Sequence, residues 1–255
     1  VAGPLQVLVY DPFLDPACGQ KVVFNDPTDP GWLRVPPTYF VVEAHRELQG
    51  LRLPFLLCPS DEGLSGATNY RVNHGVSVNV LAPSRSIESI AHQGAFVNGT
   101  AVPMAGFTDG LSSTALASER VLGDQRPSVY DPFRDVFSNG RAYVDTPQFI
   151  RHCRDDAVAS PASEYSFAGG TWLLGGQLNT WYLHVLPPNS SIPDCALGAG
   201  LVDGGIGIVS ARSLHKGGLH VAMADGSVRF VANVIDLDVW RAIGTRNGGE
   251  SVSIE

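Results

Sequence analysis

The stretch that most constrains the fold runs from Ser213 to Ile235, where two alternating apolar runs flank an Asp-Gly pair. Leu219, Val221 and Met223 recur at the period of a strand, and Val228, Phe230 and Ala232 do the same after the pair. Asp225-Gly226 is the dipeptide favoured by a two-residue type I′ turn, whose central residues both need positive φ. The expected structure is a tight hairpin with those six residues on one face. Lys216-Gly217-Gly218 ahead of it leaves the backbone free to bend sharply or to approach another strand, and His215 completes a His-x9-Asp-Gly spacing.

A His and an Asp at that spacing invite a catalytic pair or half of a metal site. Asp225 already has a structural reason to open such a turn, so the plainer reading is that His215 folds back over the hairpin and bonds to it.

The run resembles the His-x9-Asp-Gly signature of a prepilin-type family of bacterial pilin-like proteins, abundant in planctomycetes and akin in architecture to type II secretion pseudopilins. Further segments resemble the same family in the same order: Phe55 to Asp61, Thr68-Asn69-Tyr70, Gly94-Ala95-Phe96, Phe107 to Thr114 with Asp109-Gly110, Glu119-Arg120, His184 to Ser190 and Trp240 to Arg246. The resemblance implies an α+β headpiece, mostly antiparallel β, with long Pro/Gly-rich loops and the 213–235 hairpin near its centre. It also implies a non-enzymatic subunit of an extracellular or cell-surface filament, tube or pseudopilus, whose partners are copies of itself, other pilin-like subunits or secretion machinery.

Composition agrees with such a chain. Charged residues make up 16% of the 255, against about 25% in ordinary soluble domains, which suits a protein that covers itself with its own copies. The net charge of −8 and the absence of a basic cluster argue against nucleic acid or an anionic membrane as partner. With 28 Gly and 18 Pro, turns are many and long helices few. The family's hydrophobic N-terminal stem is not found in this sequence, so membrane contact is expected only through such a helix, absent here.

One domain over 1–255 is expected, with 123–165 as a candidate insertion. Strands are expected at Leu5 to Tyr10, from Leu51 through Leu57, and at Ser113 to Arg120, with helices around Glu43 to Leu48 and Pro147 to Cys153. Among residues 60–90 the burial candidates are Tyr70, Val72, Val76 and Val78, and His74 reads as an ordinary core or surface residue.

Cys18, Cys58, Cys153 and Cys195 have no C-x-x-C spacing, and an even count in an exported-type chain favours two disulfides. The pairs expected are Cys18–Cys58 and Cys153–Cys195. The only cofactor considered is calcium, from the pseudopilin resemblance, with Asp203, Asp236 and Asp238 as ligands and Asp194 and Asp225 as further candidates. Asn98 and Asn189 head formal glycosylation sequons, and Trp32 and Trp172 are the expected assembly anchors. No Walker, dinucleotide or nucleophile-elbow sequence is present. Two alternatives stay open: an exported carbohydrate- or calcium-binding module using Trp172 to Tyr182, and an enzyme using His215 and Asp225.

Overall fold

A computed structural model describes residues 6–7, 22–23, 50–61, 63, 65–78, 93–97, 101–127, 129–138, 143, 145–159, 164–173, 175–197, 207–250 and 252. The chain separates into two compact units, Val1–Leu51 and Arg52–Glu255. In the first, β1 (Gln6–Val7) pairs antiparallel with β2 (Val22–Val23). The helix expected around Glu43 to Leu48 lies outside the described residues, as do Cys18 and Trp32.

The second unit is α+β with β dominant. Its larger sheet has the order β11 (Val228–Ala232), β10 (Gly218–Met223), β4 (Ala115–Glu119), β3 (Tyr70–Asn73), β7 (Trp181–Tyr182), all antiparallel except β3 with β7. The smaller sheet runs β6 (Glu164–Tyr165), β5 (Val136–Ser138), β8 (Asp194–Ala196), β9 (Gly207–Ile208), with β5 and β8 parallel. A parallel bridge from Leu183 to Ser210 ties the chain after β7 to the chain after β9.

Helix α1 (Thr146–Ala159) forms where expected and packs Phe149 and Cys153 against Phe137, Cys195 and Ile208. The 123–165 segment thus supplies part of this core, and the expected Cys153–Cys195 disulfide closes it. Helix α2 (Leu237–Ile243) starts at Asp236, whose carboxylate accepts from the backbone N–H groups of Asp238 and Val239. It buries Trp240 and Ile243 on Leu219, Val221, Met223, Val231 and Tyr182.

The hairpin lies at the edge of the larger sheet rather than near its centre as expected, because β11 pairs with β10 alone among the described residues. Two further expectations about strands are corrected. The hairpin has three loop residues, not two: Met223 N–H donates to Ser227 O and Gly226 N–H to Met223 O, and only Gly226, at φ 86°, is left-handed. This is a tight turn closed by a glycine bulge. The extra loop residue shifts the register by one, pairing Leu219 with Val231 and His220 with Phe230. In a structure of period two, such a slip exchanges the faces. Val231 is therefore buried, while Val228 (66% exposed) and Phe230 (49%) face outward. The second correction concerns Leu51 to Leu57: a 3-10 turn at Pro54–Leu56 replaces the strand, with Pro54 at its first position and Phe55 exposed. Proline sets φ for a helical turn and cannot donate to a ladder.

Burial near β3 also departs from expectation. Tyr70 faces solvent, while Arg71, Asn73 and His74 are buried with Val78. Arg71 donates to Gln177 O, and the His74 ring stacks on Trp181 at 3.8 Å, the structural role expected for that histidine.

Candidate functional site

Several of the family-like segments, dispersed over the sequence, are joined by buried side-chain hydrogen bonds. Asn69 joins three of them: its Oδ1 accepts from Cys58 N–H, and its Nδ2 donates to Asp61 Oδ2 and to Arg120 O. Asp61 also accepts from Leu122 N–H and pairs with Arg134 at 2.8 Å. This clamp holds the turn carrying Cys58 beside the end of β4, which carries Glu119.

His215 enters from the other side. Ser213 Oγ accepts its N–H, Gly217 turns the chain at φ 86°, and Gly218 lies so close to the Val231 carbonyl that a Cβ would collide with it. Both glycines act as the sequence suggested, one for the bend and one for close approach. The bend aims His215 away from the Asp-Gly turn. Its Nε2 lies 3.3 Å from Glu119 Oε1 and 3.6 Å from Cys58 Sγ, and all three donor atoms fall within 4.8 Å of one another.

Glu119 is held from a fourth direction. His220 N–H donates to its Oε2, and His220 Nδ1 lies 3.2 Å from its Oε1. Cys58 and Glu119 are buried, His215 is half-buried, and His220 is exposed with its ring edge-on to His215 and Phe230.

Thiol and carboxylate both approach the same ring nitrogen of His215. A nucleophile–base–orienter arrangement places the nucleophile on one imidazole nitrogen and the acid on the other, so the cluster is not built as a Cys-His-Glu relay. The His215–Asp225 pair is not assembled either. The Asp225 carboxylate accepts from Ser227 N–H and Oγ–H within the turn, and these bonds hold its pKa below the usual carboxylate value.

The other candidate residues have different uses. Asp109 accepts from the N–H groups of Gly248 and Gly249, and Gly110 turns at φ 100°. Asp194 lies buried between Arg120 and Arg212, paired at 3.0 and 3.1 Å. Burial opposes its charge, but the two guanidiniums prevail and hold its pKa below the usual value. Asp236 caps α2, with Asp238 in its first turn. No three of the described aspartates expected to bind calcium come together; Asp203 lies outside the described residues.

Cys58 is a buried thiol whose Sγ is directed at His215; its expected partner, Cys18, lies outside the described residues. Asn189, at φ 52°, spends its carboxamide on Asn233 and on Ser213 N–H, and Asn98 lies outside the described residues. Trp172 is half-buried rather than freely exposed. Sequence reasoning missed Cys58 and Glu119 as partners of the hairpin histidines, because 157 residues separate Cys58 from His215 and 101 separate Glu119 from His220. The available signal was that Cys58, Glu119 and His215 each sit inside a family-like segment.

An α+β domain organised on this hairpin, with Cys58, Glu119 and His215 at one end of β4 and Asp225-Gly226 beyond the other, is the class that the structure defines. Over residues 24–238 the chain matches the family described as "Protein of unknown function (DUF1559)", and it belongs to that family. No curated protein and no solved structure matches it.

Proposed function

We propose that the chain is a structural, non-catalytic subunit of an exported pilin-like or pseudopilin-like assembly, joined to copies of itself at the outer edge of its larger sheet. The observation that carries this reading is β11. Among the described residues it pairs with β10 alone, and it turns Val228 and Phe230 to solvent, with Val234 (91% exposed) just beyond. Edge strands that must stay single carry lysine, proline or inward charge; β11 has neither lysine nor proline, and its one charge, Arg229, is half-buried on the Val231 face and leaves the outward face wholly apolar. A free edge bearing a row of apolar side chains is a template for another chain.

Two further features support the reading. The buried Cys153–Cys195 disulfide suits an oxidising, extracellular or cell-surface location. With 42 charged residues in 255, little of the surface opposes association. A contact between this edge and a different face of the next subunit would be heterologous and need not close, so it can grow into a filament.

Electron micrographs of native material test the proposal, compared with the double variant Val228→Asp/Phe230→Asp. Both positions are exposed, so the fold should survive. Polymers lost in the variant support the reading; their absence from native material, or their persistence in the variant, would refute it.

A further inference from the structure

The convergence of Cys58, Glu119 and His215 is tighter than packing requires, and it has the dimensions of a coordination shell. A tetrahedral zinc ion with bonds of about 2.3 Å to sulfur and about 2.05 Å to nitrogen and oxygen places S and N ~3.6 Å apart, and N and O ~3.3 Å apart. The corresponding separations are 3.6 Å for Cys58 Sγ to His215 Nε2 and 3.3 Å for His215 Nε2 to Glu119 Oε1. One hydrogen on Nε2 can point at only one of the thiol and the carboxylate, whereas one cation at the centre would bind all three groups at once.

We propose that Cys58, Glu119 and His215 bind a divalent ion of the zinc class, with the fourth position open on the half-exposed His215 side. Thiolate, imidazole and carboxylate together select a borderline-soft ion over calcium or magnesium, which take oxygen alone. His220 is the positioning residue: its backbone N–H and Nδ1 both engage Glu119 and fix the carboxylate toward the centre. The ion would fasten the Cys58 turn, β4 and the chain leading into the hairpin to one another, and so give the signature histidine a task other than catalysis. This inference does not depend on self-assembly and is tested separately from it.

The test is titration of the chelator-treated full chain with cobalt(II), followed by displacement with zinc. One equivalent should bind, with the intense near-ultraviolet thiolate-to-cobalt band and the visible spectrum of a four-coordinate ion. Cys58→Ser should abolish the thiolate band, and His220→Ala should weaken binding by roughly 10–100-fold, as loss of a ligand's supporting partner does. Absence of the band from folded wild-type protein, or its persistence in Cys58→Ser, would overturn the proposal. Should Cys58→Ser fail to fold, alkylation of Cys58 in wild-type protein decides. Zinc should slow it by about tenfold or more by capturing the thiolate, and an unchanged rate would overturn the site.

Discussion

Lowering the pH from 7 to 5 should destabilise the fold through one buried histidine, His184. The Trp240 carbonyl can only accept, so His184 Nδ1 carries the proton and donates to it at 2.8 Å; Nε2 then accepts from the Tyr182 hydroxyl, also at 2.8 Å. The ring is buried and stacked on Trp240 at 3.9 Å. Burial lowers its pKa to about 3, against a small opposing effect of the Trp240 carbonyl. Because the folded pKa lies below the unfolded value of about 6.5, the stability tied to neutral His184 is present above 6.5 and lost as pH falls toward 3. Linkage gives a loss of about 2 kcal/mol by pH 5, growing to about 4 kcal/mol near pH 3.

Asp135 works in the opposite sense. Burial raises its pKa to about 6 despite bonds from two backbone N–H groups, so its protonation favours the folded state as pH falls. The assay is therefore a difference: urea unfolding of wild type and of His184→Asn, which keeps a donor for Trp240 O, at intervals from pH 7.5 to 4.5. The variant should be less stable at pH 7, and the gap should close by about 2 kcal/mol at pH 5. A gap that does not change with pH would refute a neutral, buried His184.

Three other perturbations test the packing. Val231→Ala should cost about 2 kcal/mol or more while Phe230→Ser changes stability by about 0.5 kcal/mol or less; the reverse order in urea unfolding would restore the two-residue turn. Gly218→Ala should destabilise by roughly 2–3 kcal/mol, since a backbone carbonyl cannot yield to its Cβ, whereas Gly226→Ala meets open space and should cost about 1–2 kcal/mol for its left-handed backbone. Reducing Cys153–Cys195, which are 42 residues apart, should cost about 4 kcal/mol in the chain-entropy account. An unchanged urea midpoint under reductant would contradict it.

What the sequence disclosed was what local pattern encodes. The alternation of Leu219, Val221 and Met223 and a helix around Pro147 to Cys153, which the structure extends to Thr146–Ala159, follow from period and breakers. The face of β11 was misread because a single loop residue decides it: Asp-Gly sits equally well in a two-residue turn and at the end of a three-residue one, and alternation cannot distinguish them. The leucines at 51, 53 and 57 mimic a strand, but Pro54 among them overrides their spacing. The Cys58–Glu119–His215 cluster was illegible for a different reason. It depends on Asn69 joining three distant segments, and no periodicity records a contact between residues 157 positions apart.

The central claim is that this chain assembles through its exposed β11 edge, and sedimentation velocity of the purified protein over a hundredfold concentration range tests it most directly. The weight-average sedimentation coefficient should rise with concentration in wild type and stay at the monomer value in Val228→Asp/Phe230→Asp. A single monomeric species across the whole range in wild type would contradict it.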